Sequence, residues 1–362
     1  MAPFETVPDH VQQAIRDTKA TYRRVGGLII SNPIMGCMGI GSSKWWDWVL
    51  EEEPALELLG YAYSKGINTW DTANVYSNGR SEETIGKAIQ KYQIPREKLV
   101  LMTKVGRIMA DEKHRDDVVA FMGNLTTECK DYVNQGGLSR KAIFGAVDAS
   151  LRRLGTAYID VLQIHRFDPD VPPEETMKAL HDLVTTGKVH YLGASSMWAH
   201  ELAQLQFVAE KNNWTKIVVM QNHYNLLYRE EEREMLRFCR ATGIGVIPWA
   251  PLASGLLACR VEDYGQTKRT ASESQNPRFK YLQSAQDREI ISRVAVVAKD
   301  KGWSMTDVSL AWLNKRVAAP VLGFTSKARV DEALSARGKE LTADEERFLE
   351  ELYSAKPIMG HL

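Results

Sequence analysis

The feature that most constrains this chain is an alternation repeated along its length: a short apolar run, a polar loop, then a helical pattern. Eight runs stand out, Ile34–Met38, Asn68–Trp70, Leu99–Thr103, Val161–Ile164, Val189–Gly193, Ile217–Gln221, Gly245–Trp249 and Pro320–Gly323. Runs this short and this continuously apolar suit strands buried on both faces, as in a parallel sheet. Between them lie amphipathic patterns: Glu52–Ser64, a stretch that Ser81 can cap with Glu82 and Glu83 in its first turn, a face of Ile143, Ala146, Val147, Leu151 and Leu154, and another of Met177, Leu180 and Val184. Glu201–Lys211, Glu230–Ala241, Glu289–Lys301 and Asp307–Asn314 follow.

A βα unit with its loops takes roughly 30 residues. Asp71 to Lys104 is 33 residues, Ser195 to Gln221 is 26, and Gln221 to Trp249 is 28. Two intervals are far longer, 61 from Lys104 to His165 and 74 from Trp249 to Gly323. The first holds a polar insert, Arg107–Gly137, and the second holds Val261–Gln283. Eight units with two long loops predict a (β/α)8 TIM barrel with lids after strands 3 and 7. An open doubly wound sheet shows the same alternation, but its usual Gly-x-Gly-x-x-Gly turn is missing: Gly36-Cys37-Met38-Gly39-Ile40-Gly41 orders its glycines differently. The expected organisation is one unit over residues 1–362, with the barrel proper at about 33–335, an N-terminal extension or hairpin over 1–32, and a C-terminal helix and tail over 336–362.

Composition narrows the function classes. Lys+Arg and Asp+Glu are both 46, so the formal net charge is zero, which argues against a nucleic-acid partner. Cys37, Cys129, Cys239 and Cys259 form no Cys-x-x-Cys pair, so neither a metal site nor a disulfide framework is expected. Free thiols suit a reducing compartment. No apolar stretch nears the ~18 residues of a membrane span, and the first residues do not read as a signal peptide. A cytoplasmic protein without membrane partners is the expectation.

In a barrel the chemistry sits at the carboxyl ends of the strands. The polar residues there are Asp71, Lys104, His165, Ser195, Ser196 and Gln221, with Tyr76 in the loop after Asp71. Singly, Asp71 can bracket a turn, Lys104 can end a solvated strand, His165 can be a satisfied core residue and Tyr76 can pack a loop. Together an acid, a base, an imidazole and a phenol at the ends of one sheet make a site for carbonyl reduction. Hydride addition leaves an alkoxide that needs a proton, and a phenol of pKa about 10 gives one up more easily beside an ammonium. Lys104 supplies that charge, Asp71 holds Lys104, and His165 meets the substrate oxygen or joins the proton relay. A hydrolase using Asp71 with Glu82 or Glu83 is a competing reading.

Over roughly Tyr22 to Leu334 the sequence resembles the aldo-keto reductases, in the branch that holds many fungal and microbial enzymes and the potassium-channel beta subunits. Three segments carry the resemblance: Gly66-Ile67-Asn68-Thr69-Trp70-Asp71-Thr72-Ala73-Asn74-Val75-Tyr76 followed by Gly79-Arg80-Ser81-Glu82-Glu83, then Leu162-Gln163-Ile164-His165-Arg166, then Trp249-Ala250-Pro251-Leu252-Ala253-Ser254-Gly255-Leu256. The resemblance implies a catalytic tetrad of Asp71, Tyr76, Lys104 and His165, with Tyr76 as general acid. It implies NADPH/NADP+ lying across the barrel mouth and a small-molecule carbonyl substrate, in one step of a secondary-metabolite pathway. Carried over by motif, Ser195, Ser196 and Gln221 would hold the carboxamide and Trp249 would stack on the nicotinamide. Pro251, Leu252, Ser254, Gly255, Leu256 and Arg260 would meet the pyrophosphate. The segment Gly323 to Glu332 would meet the adenosine phosphate, with Thr325 and Arg329 on the 2′-phosphate and Glu332 on the adenine, and Gly36 and Met38 would border the cofactor. Ser196 and Ala333 each stand where the family commonly has Asn. Trp45, Trp46, Trp198 and Tyr224 lie just past strand ends and are candidates for the substrate pocket. Because channel beta subunits share the tetrad, a cofactor-binding regulatory subunit is the alternative.

Overall fold

The computed structural model describes residues 7–275, 281–282 and 284–361. A hairpin, β1 (Thr21–Val25) and β2 (Leu28–Asn32), turns on Gly26 at φ +54° and precedes the sheet. Eight strands follow: β3 (Ile34–Gly36), β4 (Thr69–Asp71), β5 (Val100–Val105), β6 (Ile159–Ile164), β7 (Val189–Ser195), β8 (Ile217–Gln221), β9 (Gly245–Val246) and β10 (Val321–Leu322). All pair in parallel, in the order β10-β3-β4-β5-β6-β7-β8-β9. The two ends of the order meet through backbone bonds, Ala318 N–H to Val246 O and Val321 N–H to Pro248 O, both 2.9 Å. The result is the (β/α)8 barrel expected from the alternation.

Helices return over the outside. Glu52–Ser64, Arg80–Lys91, Arg140–Leu154, Pro173–Thr185, Ala199–Lys211 and Met235–Thr242 follow β3 to β8 in turn. Met305–Asn314 and Lys327–Leu334 complete the ring after β9 and β10. The apolar faces read from the sequence point inward: Ile143, Val147 and Leu154, like Met177 and Leu180, are buried against the sheet. Inside the barrel, Ile34, Val100, Met102, Val161, Val219, Ile247 and Val321 pack with Val25 and Ile30 of the hairpin. The N-terminal extension therefore plugs the end opposite the candidate chemistry.

Some boundaries differ from expectation. Ser81 does not cap its helix, which begins at Arg80 behind Gly79 at φ +89°. Its buried hydroxyl instead donates to Cys37 O at 2.8 Å and shares a bond with Thr72. The Glu230–Ala241 pattern splits into a 3-10 turn, Glu230–Glu232, and a helix, Met235–Thr242. The split has a cause: Glu230 and Glu231 are buried and hold the C-terminal tail rather than a solvated helix face. Only Gly245–Val246 of the seventh run pairs as a strand, although Ile247 and Trp249 still donate to Met220 O and Asn222 O. The first insert holds the turn Glu112–His114 and the helix Leu125–Glu128. The second holds the helix Lys268–Gln275, and its residues 276–280 and 283 lie outside the described residues, as do residues 1–6 of the extension and Leu362 of the tail.

Candidate active site

Asp71, at the end of β4, and Lys104, near the end of β5, are 3% and 1% exposed. Lys104 Nζ donates to Asp71 Oδ2 at 2.5 Å, to Thr72 O at 2.9 Å and to Tyr76 Oη at 3.4 Å. The second oxygen of Asp71 accepts from Gln163 at 2.7 Å and from Gln221 at 3.0 Å. A buried carboxylate is tolerated only when its lone pairs are taken, and three donors take them here. Tyr76 opens a tight turn in which Ser77 and Asn78 both have left-handed backbones. Asn78 fixes that turn: its amide donates to Arg115 O at 2.9 Å and Asp117 O at 2.7 Å, and its oxygen accepts from Ala110 N–H at 3.0 Å. All three partners lie in the insert after β5, so the long loop positions the phenol. The His165 ring stands edge-on to Tyr76, centroids 6.0 Å apart.

The electrostatics refine the expectation from sequence. Burial raises the pKa of Tyr76 above the usual phenol value even though Lys104 pulls it down. The phenol therefore rests protonated, and Lys104 is placed to stabilise the phenolate formed after proton loss. Burial opposes the charge on Lys104, but Asp71 and Tyr76 outweigh it, and the ammonium is held above the ordinary lysine value. His165 is held well below 6.5 by burial and by the charges of Arg166, Lys104 and Arg107. It is a neutral hydrogen-bonding group here rather than an imidazolium acid.

Ser195 Oγ donates to Gln221 O at 3.0 Å, and Ser196 Oγ accepts from Trp249 Nε1 at 2.9 Å. The Trp249 ring lies on His223 at 4.1 Å, and His223 lies on Tyr228 at 4.1 Å. After Trp249 the backbone turns left-handed at Ala250, Ala253, Ser254 and Gly255. Such alternations aim successive N–H groups into one concavity. The hydroxyl of Ser254 is buried there without a partner among the described residues. Pro251 and Leu256 are buried and Leu252 partly so, while Arg260 is exposed just beyond. Gly323 and Thr325 are exposed past β10, and Arg329 pairs with Glu332 at 2.6 Å. Gly36 sits where β3 meets β10, since a Cβ there would lie 3.0 Å from Val321. Met38 packs on the nearby tryptophans.

Of the substrate candidates, Trp45 is buried 6.5 Å from the Tyr76 ring and 3.9 Å from Trp46. Trp46 in turn stacks on Phe121 of the first insert at 6.2 Å. Trp198 is exposed and meets His361 edge-on at 4.7 Å. Tyr224 is not brought to the mouth: its hydroxyl donates to Glu232 at 2.6 Å and its ring packs on Trp312. The backbone that turns away after β8 carries it into the helix layer. The paired-carboxylate reading also fails, because Glu82 is engaged by Arg153 at 2.7 Å and Thr103 at 2.6 Å, and Glu83 by Arg115. Asn78, Gln163, Phe121 and the tail around His361 were not singled out from sequence. Only Gln163 carried a signal, as the polar residue inside an apolar run.

A sequence model of the Aldo/keto reductase family matches residues 34–354. The chain belongs to the aldo/keto reductase family. This reductase is 55% identical over 359 residues to an aldo-keto reductase of Fusarium vanettenii, covering 98% of this chain and 97% of the relative. An aldo-keto reductase of Alternaria alternata is 55% identical over 365 residues, again covering 98% and 97%. A versiconal hemiacetal acetate reductase of Aspergillus parasiticus is 46% identical over 343 residues, covering 93% of this chain and 98% of its own. The chain is accordingly an oxidoreductase that acts on a carbonyl or alcohol. Among the described residues, no helix is long and apolar enough to cross a membrane.

Proposed function

We propose that this reductase converts an aldehyde or ketone to an alcohol with NADPH, with Tyr76 as general acid. The observation that carries the reading is the buried relay from Asp71 to Lys104 to the Tyr76 hydroxyl, 2.5 Å and 3.4 Å, beside a neutral His165. The bound cofactor would supply the hydride. Neutral His165 donates a hydrogen bond to the substrate oxygen and fixes its position, while Tyr76 gives that oxygen its proton as negative charge develops. Lys104 then stabilises the phenolate, and Asp71 keeps Lys104 charged and in place.

The residues present fit the cofactor. The left-handed backbone from Ala250 to Gly255 and the unpartnered Ser254 hydroxyl suit a pyrophosphate. Trp249, stacked on His223 with Tyr228 beyond it, would meet the nicotinamide. Ser195, Ser196 and Gln221 would meet the carboxamide, and Thr325 and Arg329 the 2′-phosphate once Arg329 leaves Glu332. We read residues 1–362 as one unit, supported by the unbroken strand order from β10 round to β9. Four unpaired cysteines support a reducing, cytoplasmic setting. The identity to the Aspergillus parasiticus reductase supports a reductive step in secondary metabolism.

The test is titration with NADPH and NADH by tryptophan fluorescence, followed by turnover of a panel of aldehydes and ketones. NADPH should bind more tightly than NADH and support reduction. Binding without any turnover would favour the regulatory-subunit alternative, and no binding of either nucleotide would remove the cofactor assignment.

A further inference from the structure

Two cations stand at the mouth that belong neither to the tetrad nor to the residues suited to the cofactor phosphates. Arg107 lies two residues past β5 and Arg166 two residues past β6. Val105 pairs with Ile164, so the two arginines leave neighbouring strands at the same level, beside His165. Among the described residues, neither has a carboxylate within ion-pairing distance. Arg107 donates to Ala120 O at 3.3 Å, with its guanidinium over the Phe121 ring at 5.3 Å. Arg166 donates to His165 O and to Ser195 Oγ, the latter at 3.2 Å. The acids nearby are taken. Asp71 is held by Lys104, Gln163 and Gln221, and Glu231 by Asn222 at 3.1 Å and His361 at 2.9 Å.

Burial and then Arg107 pull the Arg166 pKa down to about 10. Burial lowers the Arg107 pKa as well. Two partly desolvated guanidinium groups that repel one another are costly unless an anion is shared between them. Their place in the sheet order matters as well. They belong to β5 and β6, next to Tyr76 and His165 where a substrate oxygen would sit, and not to β9 and β10, where the residues suited to the cofactor phosphates lie.

We propose that Arg107 and Arg166 bind the carboxylate of the substrate, and that this substrate is a 2-oxo acid whose side chain rests on the aromatic wall of Trp45, Trp46 and Phe121. The proposal rests on the reductase reading above. In the reaction the C=O π bond breaks, the oxo carbon gains the hydride given up by the reduced nicotinamide, and the oxygen gains the proton of Tyr76. The carboxylate is unchanged, Tyr76 recovers its proton from water, and the products are a 2-hydroxy acid and NADP+. A carboxylate on the carbon next to the carbonyl falls beside the oxygen that His165 meets, and Arg166 is the next residue in the chain. A planar guanidinium is suited to that group.

The test compares benzoylformate with methyl benzoylformate, the same ketone with its charge removed, and uses 4-nitrobenzaldehyde as an uncharged reference, all with NADPH and the full chain. The acid should exceed the ester in kcat/KM by about tenfold or more. Arg107→Met and Arg166→Met should each lower that acid-to-ester ratio by about ten- to hundredfold, with NADPH affinity retained. Arg166→Lys should keep part of the preference. A native ratio at or below one, or a ratio unmoved in both variants, would overturn the assignment. NADPH affinity falling in step with kcat/KM in the Arg166 variant would place that arginine on the cofactor instead. If ester and aldehyde are reduced without preference for the acid, only the 2-oxo acid proposal fails. If none of the three is reduced, the reductase reading fails and takes this one with it.

Discussion

Tyr76 carries its hydroxyl into a site where burial raises its pKa and Lys104, 3.4 Å away, lowers it. The net effect is a phenol that rests protonated, which suits the general-acid role proposed for it. Tyr76→Phe should lower kcat by about a hundred- to ten-thousandfold while leaving NADPH affinity intact, because only the donor is removed. Stopped-flow turnover beside a fluorescence titration checks both, and loss of cofactor binding would move Tyr76 out of its role. At this scale the four polar residues were legible, because Asp71, Lys104 and His165 each follow an apolar run directly, Tyr76 lies in the loop just past one, and each differs from its neighbours in chemistry. What supports them was not: Gln163 and Gln221 stood out only as polar residues in or ending apolar runs, without their partner. Gln163, Gln221 and Asn78 act through bonds to residues 92, 150 and more than 30 positions away, and no local pattern announces such pairs.

The strands and helices were legible to within a few residues because burial on two faces leaves a continuous apolar signature and burial on one leaves a periodic one. Where an element's length is set by pairing with a neighbour, as at Gly245–Val246, the sequence overstated it. The hairpin shows the same dependence on tertiary packing. Gly245 opens β9, and a Cβ there would lie 2.3 Å from Val25 of β1. Gly245→Ala should therefore destabilise the fold by about 1–3 kcal/mol through overpacking, and Val25→Ala should restore part of that loss. Denaturant midpoints of the single and double variants test this. An additive pair would mean that the plug and β9 are not in energetic contact.

For the molecule as a whole, His165 and His223 are both held well below 6.5, chiefly by burial. Such groups bind protons more readily in the unfolded chain than in the folded one. Their stabilising effect is fully present above the unfolded pKa of about 6.5 and is lost as pH falls below it, by about 1.4 kcal/mol per pH unit for each histidine. Urea midpoints should thus fall between pH 7 and pH 5, before most carboxylates titrate, and constant stability over that range would show that the two rings are accessible to protons in the fold. By itself the sequence determined the barrel and its two long loops, and it picked out the four polar groups that the structure gathers at the mouth, since patterning and residue chemistry are local properties. Only the tertiary structure decided that Tyr224 faces the helix layer, that the first insert fixes Tyr76 through Asn78, that the C-terminal tail reaches Glu230 and Glu231, and that Arg107 and Arg166 leave neighbouring strands at one level. Those outcomes depend on which strand ends become neighbours when the sheet closes, and closure is a property of the whole chain.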